Sequence, residues 1–301
     1  MKFICYREFD DPTEPIHPGI VVENRVLPLA RVVAVAEAVN PKGLSVPDDL
    51  YELIGLLPTY VNVVKELAKE AKLLEKIWQE VGVTLAAPLP RPNRLFCVGR
   101  NYAEHAKELG NEVPEEPVVF LKASTSVIAS GQKVIYPAWA EQVDFEGELA
   151  VVIGTPGKDL IEAEAIRHVA GYTLFNDLTE RSMQNRDKAR GLPWLRSKSI
   201  DTFGPLGPAL ITTDEIKDPH NLELTTEVNG EVRQKANTGE MMHKIPALIA
   251  YISKYFALES GDVIATGTPA GVSPIRPGDT VSVNIREIGT LTNTVIAAQD
   301  Q

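Results

Sequence analysis

The chain has 301 residues, 44% of them hydrophobic and 24% charged, and a formal net charge of -11. That acidic balance excludes a nucleic-acid partner, because phosphate binding rests on a lysine- and arginine-rich surface. No apolar run approaches the roughly 20 residues that span a bilayer, and two isolated cysteines, Cys5 and Cys97, form neither a disulfide framework nor a zinc site, so a reduced cytoplasmic protein is expected, with no membrane partner.

Short apolar runs alternate with turn residues through the first forty or so positions (KFICY, GIVVENRVLPL, ARVVAVAEAV), the pattern of a small hairpin-bearing module. Val63, Val64, Leu67, Ala71, Leu74 and Trp78 then recur at helical spacing. Pro88, Pro90 and Pro92 force extended backbone and mark a linker, which divides the chain into a small N-terminal domain over 1–85 and a larger domain over 92–301. Beyond the linker, "RLFCVG", "PVVFLKAS" and "ELAVVIG" read as strands, and "EAEAIRHVAGYTLFND" as a short helix running into a strand. "LTTEVNGEVRQ" is a hairpin turning at Asn229-Gly230. "IPALIAYISKYF" is a helix with Pro246 in its first turn and Ile245, Leu248, Ile249, Ile252 and Phe256 along one face. Three further strands, "GDVIATG", "DTVSVNI" and "GTLTNTV", close the chain. Without βαβ alternation the class is α+β, with a dominant and mostly antiparallel sheet system.

The chemistry starts at "VDFEGELAVVIG", where Glu146 and Glu148 share one face of a strand that turns apolar within two residues. Burying an ionised carboxylate costs several kcal/mol unless it is paired or binds a metal. Lysine or arginine, a divalent metal, or exposure at the strand mouth are the three ways out, and Asp144 reads equally well as a solvated acid at the strand start. A third carboxylate, Asp177, ends the strand "GYTLFND". Three acids with no local histidine or cysteine suit a hard cation, Mg²⁺ or Mn²⁺, rather than zinc.

Seven phrases in order, "VGRNYAEHAKELG", "FLKASTSVI", "DFEGELAVVIG", "GYTLFNDLTERSMQ", "GLPWLRSKSIDTFGPLGP", "VNGEVRQ" and "GDVIATGTPAGV", resemble the fumarylacetoacetate hydrolase family over roughly residues 90–295. The resemblance implies a fumarylacetoacetase-like mixed β-sheet roll, with the first 85 residues resembling the small extra α+β domain of some members. It implies that Glu146, Glu148 and Asp177 bind Mg²⁺ or Mn²⁺, which chelates a small 2-oxo acid substrate. Lys198 is expected to stabilise an enolate, and Arg181 and Gln184 to contact substrate or a developing oxyanion. His105 and Glu108, three residues apart and so on one helical face, are expected to activate water. Thr268 is expected near the substrate carboxylate, and Arg100 either touches substrate or makes a structural pair. The activity expected is hydrolysis of a C–C bond in an acylpyruvate or similar β-diketo acid. Decarboxylation of oxaloacetate, isomerisation of a 2-hydroxymuconate-type diacid, or a non-catalytic metal-binding role are the alternatives, and a homodimer is implied.

Overall fold

In the computed structural model, which describes residues 1–8, 11, 13–22, 25–39, 41, 43–47, 50–67, 83–108 and 114–300, the fold is laid out around the strand Gly147–Ile153. All seven of its residues are buried, as an unbroken Leu-Ala-Val-Val-Ile run requires of a strand covered on both faces. It pairs antiparallel with Val169–Asn176 on one side and Val263–Ala265 on the other. Beyond Val169–Asn176 come Gly204–Thr212, Lys2–Arg7, His17–Val22 and Arg25–Pro28; beyond Val263–Ala265 come Leu95–Gly99 and Val118–Lys122. With Thr84–Ala86 and Val127–Ile128 attached at its side, this sheet has eleven strands. Most of its pairs are antiparallel, but Val263–Ala265 runs parallel to Leu95–Gly99. The architecture is therefore α+β with mixed sheets.

A second, five-stranded sheet is ordered Glu231–Asn237, Glu223–Val228, Thr280–Ile285, Gly289–Ala297 and Val134–Tyr136. Strict alternation in Thr280–Ile285 puts Val281, Val283 and Ile285 inside, the signature of a sheet with one face on the core. Its hairpin turns at Asn229 and Gly230 with φ of 54° and 80°, the left-handed pair that a type I′ turn demands. A small third sheet sets Val143–Asp144 between Thr179–Glu180 and Pro274–Ile275.

The strand pairing runs across the proline linker. Lys2 lies opposite Ile211 and Phe3 opposite Leu210, and Phe3, Ile20, Leu27 and Leu53 share one apolar cluster with Ala150, Val152 and Phe175. The run "ARVVAVAEAV" departs from the hairpin pattern expected of it: Leu29–Val39 is a helix burying Leu29, Val32, Val33 and Ala36. Their i, i+3, i+4, i+7 spacing is helical, and a buried face overrides the strand preference of the valines. The helical spacing read over residues 63–78 falls within the helix Leu50–Leu67 as far as Leu67; Ala71, Leu74 and Trp78 lie outside the described residues. In the helix Ile245–Tyr255, Ile245, Leu248, Ile249 and Ile252 are buried as expected. Phe256 is instead the C-cap, with extended backbone and 43% exposure. No helix among the described residues is long and apolar enough to cross a membrane.

Candidate functional site

The register of two neighbouring strands assembles the acids. Gly147 lies opposite Asn176 and Glu148 opposite Phe175, so the start of one strand meets the end of the other, and the Asp177 amide donates to the Glu146 carbonyl at 2.8 Å. Carboxylate oxygens of Glu146, Glu148 and Asp177 thus converge within 4.8 Å of one another, and all three residues are buried. The glycine between the glutamates is a steric necessity. A Cβ there would come within 2.1 Å of Thr226 Oγ1 from the second sheet. The Gly147 amide is held by Gln234 Oε1 at 3.0 Å.

Three buried cations meet these acids. Lys198 Nζ bridges Glu146 Oε2 at 2.7 Å and Asp177 Oδ2 at 2.6 Å. Lys122 Nζ donates to Asp177 Oδ1 at 2.6 Å and to the carbonyls of Leu178 and Phe203 at 3.1 and 2.7 Å. Arg181 spends its guanidinium on Asp144 through Nε at 2.7 Å, on Gln184 through Nη1, and on Glu146 through Nη2. Asp144 is therefore no solvated acid. It is 3% exposed and orients Arg181 from behind, because the three-stranded sheet pins it opposite Thr179 and Pro274. Lys122 was not identified by the sequence analysis; in "FLKAS" nothing local separates it from a surface lysine.

Four buried acids (Asp144, Glu146, Glu148, Asp177) thus face three buried cations (Lys122, Arg181, Lys198), and Glu148 is the acid left over. It accepts the Gly267 amide at 2.8 Å, and no cation among the described residues pairs with it. Burial, followed by repulsion from Asp177 and Glu146, pushes its carboxyl well above the ordinary range. Burial pushes Glu146 the same way, yet Lys198 and Arg181 outweigh it and hold that carboxyl below the ordinary range. For Lys198, burial is outweighed by Asp177 and Glu146, and its pKa rises; for Lys122, burial prevails and the pKa falls. A cluster of hard oxygen ligands short of one positive charge fits a divalent cation, and the ligand set favours Mg²⁺ or Mn²⁺ over softer metals.

Asp144, Glu146 and Glu148 line a cleft of about 270 Å³ together with Arg100, His105, Arg181, Gln184, Lys198 and Thr268. The structure therefore brings nine of the ten residues singled out from the sequence to one place or its immediate wall, with Asp177 behind Lys198. Glu108 is the tenth. It is 38% exposed at its side chain, 3.6 Å from His105 Nδ1, and both its oxygens accept the Gly271 amide at 3.2 and 3.1 Å. His105 is 4% exposed, its Nδ1 has no hydrogen-bond partner among the described residues, and burial lowers its pKa. Thr268 donates its hydroxyl proton to the Gly147 carbonyl at 2.9 Å and accepts from Gln234 at 2.7 Å. Asn101 fixes the segment leading to His105 by bonding the Thr266 carbonyl at 2.8 Å and both backbone groups of His243. Residues 109–113, which follow Glu108, lie outside the described residues.

Comparison with known proteins accords with this geometry. The family model for the fumarylacetoacetate (FAA) hydrolase C-terminal domain matches residues 94–296. The mitochondrial oxaloacetate tautomerase FAHD2A of Homo sapiens is 44% identical over 221 residues, 71% of this chain and 70% of that protein. A solved structure of 5-carboxymethyl-2-hydroxymuconate delta-isomerase from Mycobacterium smegmatis is 45% identical, covers 71% of this chain and 80% of its own, and has a TM-score of 0.65. A fumarylacetoacetate hydrolase from Exiguobacterium antarcticum is 31% identical, covers 99% of each chain, and has a TM-score of 0.79.

Proposed function

This chain belongs to the fumarylacetoacetate hydrolase family, and from that premise we propose that it is a divalent-metal-dependent enzyme interconverting the keto and enol forms of a 2-oxo acid, the type of reaction named for its tautomerase and isomerase relatives. One observation carries the reading: a buried three-carboxylate cluster whose Glu148 has no cation partner among the described residues, beside a small-molecule cleft that Glu146 and Glu148 line. Glu146, Glu148 and Asp177 would hold Mg²⁺ or Mn²⁺, which supplies Lewis acidity toward the oxygens of a 2-oxo acid. Lys198 contributes a second positive group beside the same acids and stabilises charge developing on an enolate oxygen. Burial lowers the pKa of His105, which favours the imidazole form that can accept a proton. Gln184 is oriented by Arg181, whose Nη1 donates to its Oε1 and so turns the amide NH₂ away from Arg181. Val98, Phe120, Trp194 and Val272 furnish the apolar wall that limits water.

A second reading, hydrolysis of a C–C bond in an acylpyruvate, is favoured by the 3.6 Å approach of Glu108 to His105. A small movement would let the carboxylate orient the imidazole as a water-activating base. Against it, Glu108 is engaged with the Gly271 amide, so the proton-transfer reading asks less of the geometry. Cys5 and Cys97 are buried thiols outside any disulfide among the described residues, which is compatible with a reducing compartment such as the cytoplasm. The exposed Leu121, Leu195, Tyr255 and Phe256, gathered along one apolar groove, support a homodimer.

The deciding experiment follows the enol absorbance of oxaloacetate and of acetylpyruvate with Mg²⁺ or Mn²⁺, with EDTA, and with His105→Ala. Metal-dependent, His105-dependent ketonisation without fragmentation supports the proposal. Release of pyruvate and acetate moves the assignment to hydrolysis, and release of CO₂ moves it to decarboxylation. Rates equal with and without metal would sink all three.

A further inference from the structure

The hairpin strand Glu231–Asn237 breaks its own alternation. Val232 is 51% exposed, whereas Gln234, two residues on, is fully buried. Residues two apart on a regular strand share a face, so the reversal needs an irregularity. The register supplies one: Thr226 lies opposite Gln234 but Glu227 lies opposite Val232, which leaves Arg233 as an extra residue. Such a bulge re-aims the side chains on either side of it. Here it exposes a valine and gives a buried position to a glutamine, the reverse of what packing alone selects.

Gln234 reaches the strand of the acids. Leu149 accepts the Thr266 amide at 3.0 Å, where the backbone ladder between Gly147–Ile153 and the chain leaving Val263–Ala265 ends. Gly147, two residues before Leu149, presents its N–H and C=O on that same side, but no strand continues there. The chain turns at Gly267, with a φ of 97°, and the Gly267 amide goes to Glu148; Pro269 has no N–H to give. Gln234 fills the gap. Its Oε1 accepts the Gly147 amide at 3.0 Å, and its Nε2 donates to Thr268 Oγ1 at 2.7 Å and to the Pro269 carbonyl at 2.8 Å. Thr268 donates in turn to the Gly147 carbonyl at 2.9 Å, which closes a ring of three residues. With a backbone donor at one end and a backbone acceptor at the other, the Gln234 amide has a single satisfying orientation. It stands in for the missing strand partner of the residue between Glu146 and Glu148.

We propose that Gln234 is a positioning residue of the acid cluster: by holding the Gly147 peptide it keeps the two flanking glutamates converged for a divalent cation. The five-stranded sheet then belongs to the metal-binding machinery, although none of the three acids stands on it. The inference rests on the reading that Glu146, Glu148 and Asp177 hold Mg²⁺ or Mn²⁺.

The test measures Mn²⁺ binding to the full chain without substrate, from the loss of the free-ion EPR signal, beside the melting temperature in EDTA. Gln234→Met keeps the volume and removes the ring contacts. It should weaken Mn²⁺ binding about tenfold or more, as loss of a group that orients metal ligands does. Thr268→Val breaks the ring at another member and should weaken binding in the same direction. The double variant should lose less than the product of the two factors, because the ring acts as a unit. Leu224→Ala opens a cavity at a fully buried position of the neighbouring strand Glu223–Val228; it should lower the melting temperature and leave Mn²⁺ affinity unchanged. If Gln234→Met does not fold, Thr268→Val against Leu224→Ala decides the question, and unchanged affinity in Thr268→Val then overturns the proposal. Wild-type affinity in a folded Gln234→Met, or equal weakening in Leu224→Ala, also overturns it and leaves the metal reading standing. A wild type that binds no Mn²⁺ retires the metal reading and this proposal with it.

Discussion

Replacing Lys122 by methionine tests the electrostatic account of the site at its least exposed point. The ammonium is fully buried and makes three hydrogen bonds, to Asp177 Oδ1 and to the carbonyls of Leu178 and Phe203. It also lies 5.6 Å from the centroid of the Phe175 ring. Methionine fills a similar volume, so the packing loss is small and the change is electrical. Removing one partner of a buried ion pair costs about 3–5 kcal/mol, since the remaining charge stays in a low-dielectric site. Lys198 still holds Asp177 Oδ2 at 2.6 Å, which places the expectation near the lower figure. At about 2–4 °C per kcal/mol for a chain of this size class, the melting temperature in EDTA should fall by about 6–12 °C. Urea denaturation in EDTA, which removes any contribution of bound metal, measures the loss directly. The control is Asp177→Asn alone and combined with Lys122→Met. If the pair is coupled as described, the double variant loses less than the sum of the singles by at least about 1 kcal/mol. Strict additivity, or a loss under about 1 kcal/mol for Lys122→Met, would refute the reasoning.

Glu148→Gln removes the acid that no cation among the described residues pairs with, so the protein in EDTA should be as stable as the wild type or more so, by about 1 kcal/mol. The same variant should forfeit the thermal stabilisation that saturating Mn²⁺ gives the wild type, about 2.7 kcal/mol at a hundredfold excess over Kd; scanning calorimetry with and without Mn²⁺ checks both halves. Burial lowers the pKa of His105 below its ordinary value, so the folded protein binds this proton less readily than the unfolded chain. The associated stability is complete above the unfolded imidazole pKa of about 6.5 and is lost as pH falls through the folded value. The acid limb of kcat/KM should accordingly lie below about pH 6.5, and an unchanged acid limb in a residually active His105→Gln would remove His105 from that role. Gly147→Ala drives a methyl toward Thr226 Oγ1 and should cost about 1–3 kcal/mol. Adding Thr226→Ala should recover part of that loss in urea titrations, and no recovery would place the strain elsewhere.

Much of the site was legible because the relevant pattern is local. Period-two alternation puts Glu146 and Glu148 on one face, and the antiparallel partner strand brings Asp177 alongside. Asn229-Gly230 and Pro246 likewise announce their turn and helix start from within four residues. What the sequence concealed is long-range. Lys122 is buried by residues 55 to 81 positions further along the chain, and no neighbour in "FLKAS" hints at them. Asp144 reads as a solvated acid until Arg181, 37 positions later, is seen to reach it. The helix Leu29–Val39 was obscured by a third cause: alternating alanine and valine satisfies strand and helix templates over short windows, and only the packing surface decides between them.

The pairing of Lys2–Arg7 with Gly204–Thr212 bears on solubility. Gly204–Thr212 is nine residues long and buried throughout, and on one side it offers Leu210 and Ile211 to the N-terminal strand. Cutting the chain at the proline linker would strip this cover and leave amides and carbonyls of an apolar strand open to any passing strand, the usual seed of edge-to-edge aggregation. The first residues thus act as a permanently docked guard strand, and a protein trimmed to residues 92–301 should precipitate or self-associate before its catalytic competence can be asked about.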